Sequence, residues 1–140
     1  MKTPTSRQIV ILLLGIGLVV LLSYLRDALT QWVIPGDESS VPRWYVFVSG
    51  AVQSLILVLP GIVVGFFARR KGALLGLLTA FVGSFVVSCI FFMSNSSSAS
   101  VGLGEMPAIL AGFMALAIGP SIFGFVAGAA GELFARGGET

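Results

Sequence analysis

The chain has 140 residues, of which 56% are hydrophobic types, 18 are Gly and only 10% are charged, where a soluble domain carries about 25%. Four runs, 8–25, 44–68, 72–104 and 106–131, contain no charge at all and hold 18, 25, 33 and 26 residues. This leaves too little polar surface for a water-soluble fold and too much apolar surface for disorder. The expected class is an all-α integral membrane four-helix bundle, a single membrane domain over residues 1–140, with the lipid bilayer as its first partner.

The missing residue types exclude further classes. There is no His, the usual ligand of haem, zinc and copper and the usual general base. The one Cys, Cys89, allows no internal disulfide and no CxxC pair, and reads as a small buried hydrophobe. A net charge of +2 is too small for nucleic-acid binding. No phosphate loop, nucleophile elbow or HExxH helix is present. No cofactor, metal site or catalytic residue is expected.

A hydrocarbon core of about 30 Å takes roughly 20 helical residues to cross. The first predicted helix covers about 8–25, bounded by Arg7 and Arg26. Its rival is a cleaved signal peptide, which the basic start at Lys2 and Arg7 suits. The apolar run is long for that role, however, and Ser23-Tyr24-Leu25-Arg26 offers no small-x-small cleavage site. Leu25, Leu29, Trp32 and Val33 continue at helical spacing beside Arg26, Asp27 and Gln31, which extends the helix as an amphipathic end at the interface until Pro35-Gly36 stops it.

Trp44 and Tyr45 stand where an aromatic belt belongs, at the head of a second helix over about 44–68. Only Arg69-Arg70-Lys71 separates it from a third over about 73–93, so these two are antiparallel neighbours. The Ser-rich stretch from Ser94 to Ser100 is a loop by composition, and the sequon Asn95-Ser96-Ser97 within it carries no weight. The fourth helix covers about 107–135, with Pro107 in its first turn and Glu105 at the positive end of its dipole. At 29 residues it is about 43 Å long and has to tilt, kink or protrude.

With four spans both termini share a side with the Arg69-Arg70-Lys71 turn. That side holds Lys2, Arg7, Arg69, Arg70, Lys71 and Arg136, against Arg26 and Arg43 opposite. The positive-inside rule places both termini in the cytoplasm, in a plasma membrane such as the inner membrane of a bacterium.

Lipid tails are as apolar as Leu, so membrane helices are drawn together by close backbone approach, which needs small residues three and four apart. The second helix carries Gly50, Ser54, Gly61, Gly65 and Ala68 on one stripe, and the third Gly72, Gly76, Ala80 and Gly83. The fourth has two stripes, Ala108, Gly112, Ala115 and Gly119, then Ser121, Gly124, Gly128, Gly131 and Ala135, shifted in phase at Pro120. Helices two, three and four are therefore expected to form a tight core with glycine-rich interfaces. The first helix, with only Gly15 and Gly17, packs outside or faces lipid. The packing and docking residues singled out are Gly61, Gly65, Gly76, Gly83, Gly124, Gly128 and Gly131, the last three as a docking face for another chain.

Pro60-Gly61-x-x-x-Gly65 with Phe67-Ala68-Arg69 echoes Pro120-x-x-x-Gly124-x-x-x-Gly128 with Phe134-Ala135-Arg136, the signature of a duplicated hairpin or of chance in a biased composition. Pro60 and Pro120 predict kinks in the second and fourth helices. Gln53, Pro60, Pro120 and Ser121 are the candidate lining of a midplane pathway. Gln53 alone is strongly polar well inside a span, which suits an interhelical hydrogen bond. Glu132 has Arg136 at i+4, a favourable interfacial pair.

The expected function is non-enzymatic: a small multi-pass membrane protein acting by helix–helix contact, as an accessory or assembly subunit of a membrane complex or as a homo-oligomeric scaffold. The alternative is a small oligomeric channel or carrier for an ion or small solute, with its pathway near Pro60 and Pro120. An enzyme ranks last, since the outer carboxylates Asp27, Asp37, Glu38 and Glu105 form no acid, base and nucleophile cluster.

Overall fold

The computed structural model describes residues 6–33, 43–68, 70–95 and 104–137. The expected stop at Pro35-Gly36, residues 96–100 of the expected Ser-rich loop and the position of Arg69 lie outside these residues, while Ser94 and Asn95, expected in that loop, are the last residues of the third helix. Among the described residues all are helical except for short turns at 70–71 and 104–105. The helices are α1 (Ser6–Val33), α2 (Arg43–Ala68), α3 (Gly72–Asn95) and α4 (Met106–Gly137). All four are long and apolar enough to cross a membrane, and α4, at 32 residues, is about 48 Å long.

Each helix begins for a local reason. In α3 the Lys71 carbonyl accepts the first helical bond, from Leu75 N–H at 3.0 Å, while Lys71 itself adopts a left-handed φ of 64°. That conformation is uncommon outside Gly, and it lets the chain reverse between Ala68 and Gly72. In α4 the Glu105 carbonyl accepts from Ile109 N–H at 3.1 Å, which places Pro107 in the first turn, where its missing N–H costs no helical bond. Pro60 and Pro120 both sit within helices that continue on either side of them.

The arrangement is two flanking helices on a central pair. The connection through residues 70–71 makes α2 and α3 an antiparallel hairpin. α1 packs on both of these, and α4 packs on both of these, but α1 and α4 do not meet among the described residues. α4 runs parallel to α2, with Gly61 beside Ala127 and Gly65 beside Gly128, and antiparallel to α3, with Gly76 beside Gly124 and Phe92 edge-to-face with Phe113.

Large side chains point outward and small ones inward. The buried residues are mostly Ala, Gly, Val and Thr, while Leu13, Leu14, Phe47, Leu116, Val126 and Phe134 are exposed. In water this would be an aggregating surface. In lipid it is the expected one, since acyl chains solvate Leu and Phe as well as a protein core does.

α1 runs on to Val33 without a break, as the helical spacing of Leu25, Leu29, Trp32 and Val33 predicts, and Arg26 and Asp27 pair with each other along it at 2.7 Å. It is also seated rather than loosely applied. A Cβ on Gly15 would strike the Val64 side chain and come within 2.8 Å of Thr79 Cγ2, so this glycine lets α1 approach the central hairpin closely. Gly17 has nothing within 4 Å.

Candidate functional site

Gly65, Gly72 and Gly128 come together where α2, α3 and α4 converge. A Cβ on Gly65 would land on the Gly128 carbonyl oxygen, and one on Gly72 would lie 2.7 Å from that same oxygen and 2.9 Å from Gly65 Cα. A Cβ on Gly128 would strike the Gly72 carbonyl oxygen. One turn further along, Gly76 and Gly124 stand in the same mutual relation, each Cβ meeting the carbonyl oxygen of the other. Gly131 abuts the Ile62 carbonyl, and Gly61 the Ala127 methyl at 2.8 Å. Gly83 faces away from α4 and against Val19 of α1, at 2.9 Å. In each case the obstacle is backbone or a Cβ, which cannot swing aside.

This corrects one expectation. Gly124, Gly128 and Gly131 are buried against the chain's own α2 and α3 and leave no room for a second chain. The stripe that faces outward is the other one. Ala108, Gly112, Ala115 and Gly119 are all exposed, and a Cβ on Gly112 or Gly119 would meet nothing within 4 Å. The inward face of that half of α4 is carried by Ile109, Phe113 and Ala117. Each small residue of the outer stripe lies within a residue or two of one of these, about 100° or 200° around the helix.

The end of the bundle where Gly65, Gly72 and Gly128 meet carries a polar clasp, of which the spacing of residues reveals only the Glu132–Arg136 pair. Glu132 Oε2 accepts a hydrogen bond from Gly72 N–H at 2.7 Å, and Oε1 pairs with Arg136. The carboxylate therefore sits against the first turn of α3, where free N–H groups and the helix dipole favour negative charge. Its side chain is only 15% exposed, against 60% for Arg136. Close by, the Arg7 guanidinium donates to the Phe67 carbonyl at 3.4 Å, on the last turn of α2. These contacts bring the start of α1, the α2–α3 turn and the end of α4 to one end of the molecule.

A second polar cluster joins α1 to α2 at the opposite end. Arg26 donates through Nη1 to Gln53 Oε1, and through Nε and Nη2 to Asp27 Oδ1 at 2.9 and 2.7 Å. Thr30 Oγ1 donates to the Arg26 carbonyl at 2.9 Å and accepts from the Tyr45 hydroxyl at 2.7 Å. The Tyr45 ring in turn stands edge-on to Trp44. Gln53 thus makes an interhelical hydrogen bond, to a cation on α1.

The four candidate pathway residues do not converge on a lumen. Gln53 is engaged by Arg26. Pro60 is fully buried by packing. Pro120 is half-buried, and the Ser121 hydroxyl donates to the Ile118 carbonyl of its own helix at 2.6 Å. A cavity with a polar edge lies elsewhere, between α1 and α3, with a volume of about 270 Å³ and with Ser23, Asp27, Gln31 and Ser94 on its lining. Among the described residues, one buried hydroxyl is left without a partner, that of Thr79, which is 0% exposed beneath Gly15.

The chain matches no protein-family model, no curated protein and no solved structure.

Proposed function

We propose that this chain is a non-enzymatic, multi-pass protein of the cell membrane that works by helix–helix contact, as an accessory or assembly subunit of a membrane complex or as a homo-oligomeric scaffold, with α4 as its contact helix. The observation that carries this reading is the outward stripe Ala108, Gly112, Ala115 and Gly119. It has the three- and four-residue spacing that lets a second backbone come close, and it lies on a helix that the chain itself covers on one side only. The glycine seams of α2, α3 and α4 serve the bundle internally, with α2 and α4 bent at Pro60 and Pro120.

The proposed orientation keeps both termini in the cytoplasm. Arg7, Arg70, Lys71 and Arg136 gather at the end of the bundle marked by the Glu132 clasp, and Arg26 lies toward the other, which is the asymmetry the positive-inside rule reads.

The test is the size of the complex in mild detergent and its crosslinking in membranes. Gly112→Leu and Gly119→Leu are expected to abolish the assembly while the chain still inserts and melts as before, and Gly17→Leu on α1 is expected to leave assembly intact. An unchanged complex in both α4 variants contradicts the reading.

A further inference from the structure

An apolar groove runs along the surface of the bundle between α1 and α2, with a volume of about 370 Å³. Ile11, Leu14 and Leu18 wall it from α1, Val63 and Phe67 wall it from α2, and the charged residue on its lining is Arg7. Arg7 stands at one end, where it also holds the Phe67 carbonyl. From Arg7 to Leu18 is 11 residues of α1, about 16 Å of helix. Half of a hydrocarbon core of about 30 Å is nearly the same length. The groove therefore starts where the first charge-free run starts and ends near the midplane, the depth of a single leaflet.

The mouth of the groove is basic. Arg70 and Lys71 follow Phe67 by three and four residues, and both are exposed. The cavity toward the other end of α1 carries Asp27 instead. The rim of the groove is bulky, with Leu14 69% and Phe67 55% exposed. Side chains of that size hold a second helix at a distance, unlike the small stripe of α4, but a flexible alkyl chain lies between them without loss.

We infer that this groove binds one acyl chain of an anionic phospholipid, with the phosphate at Arg7. The guanidinium has five N–H donors in a planar fork that matches phosphate oxygens, and the Phe67 carbonyl takes one of them. Arg70 and Lys71 add to the positive field at headgroup level, where each basic residue raises the affinity for anionic lipid roughly fivefold. The apolar walls select for a chain and the basic mouth for its charge.

The experiment is native mass spectrometry of the full chain in mild detergent, with phosphatidylglycerol or phosphatidylcholine of identical acyl chains. The native protein is expected to retain one phosphatidylglycerol at least about fivefold better than phosphatidylcholine. Arg7→Gln is expected to lower that ratio about fivefold, and Arg7→Lys to keep most of it. Leu14→Trp fills the groove without altering charge and is expected to lower retention of both lipids. Dihexanoyl phosphatidylglycerol, whose chains are too short for the groove, and inorganic phosphate are expected to bind far more weakly. Equal retention of the two long-chain lipids by the native protein overturns the assignment, as does undiminished preference in Arg7→Gln. Should Arg7→Gln fail to fold, Leu14→Trp decides alone, and unchanged phosphatidylglycerol retention in that variant overturns the assignment.

Discussion

The backbone amide of Gly72 donates to the Glu132 carboxylate at 2.7 Å, so the first turn of α3 is capped by a residue 60 positions later in the chain. Gly72 is buried, so loss of this acceptor leaves its N–H unpaired at a buried position. Glu132→Ala is therefore expected to cost about 1–3 kcal/mol, the penalty of a buried unsatisfied donor. Glu132→Gln keeps an acceptor oxygen and loses only the charge, and should cost about 1 kcal/mol or less. Arg136 is mostly exposed, so Arg136→Gln should change stability by less than about 0.5 kcal/mol. Thermal unfolding in one detergent, read for all three variants, checks the order.

The glycines divide into two groups with opposite expected behaviour. Gly65→Ala and Gly128→Ala each drive a methyl into a backbone carbonyl, and the helices have to separate to admit it. Overpacking of this kind costs about 1–3 kcal/mol. Gly17→Ala and Gly50→Ala meet nothing within 4 Å and sit inside helices, where Ala is preferred by roughly 0.5–1 kcal/mol. Melting temperatures should fall for the first pair and hold or rise for the second. Equal losses in all four variants would show that packing at the seam is not what distinguishes them.

Arg26 and Gln53 offer a double-mutant cycle. Gln53→Leu leaves the Arg26 guanidinium with Asp27 alone, and the expected loss is about 0.6–1.7 kcal/mol, the range for hydrogen bonds between membrane helices. Arg26→Met with Gln53→Leu removes both partners and should recover part of that loss. Coupling near zero would mean that the two side chains do not depend on each other.

Thr79 is the reverse case. Its hydroxyl is buried without a partner, so Thr79→Val removes a polar atom and no hydrogen bond. Stability should be unchanged or raised by about 1 kcal/mol. A clear loss of stability would show that the hydroxyl is satisfied in the membrane by a group of its own helix or by water.

The helices were legible in the sequence because charge and apolarity mark them directly, and so was the pair Glu132–Arg136, four residues apart on one helix. The direction in which each small stripe faces was not. Periodicity establishes that Gly124 and Gly128 share a face and that Gly112 and Gly119 share another, but both stripes are built of small residues and nothing local says which one turns inward. Contacts between distant residues were silent for the same reason. Gly72 carries no mark of Glu132, and Gly15 is one of two glycines on a Leu-rich helix, whose importance appears only when Val64 and Thr79 are set beneath it. Gln53 was recognisable as a polar group in need of a partner, yet its partner, Arg26, reads in sequence as the end of a span.

Because α1 and α4 flank the central hairpin without meeting, the bundle has two broad sides that no contact bridges directly among the described residues. Whatever occupies the α1 side and whatever occupies the α4 side are separated by the full width of the α2–α3 pair. Occupancy of one is therefore expected to be additive with occupancy of the other, with no cooperativity unless the hairpin itself shifts. A substitution on one of these faces is therefore expected to leave the other unaffected.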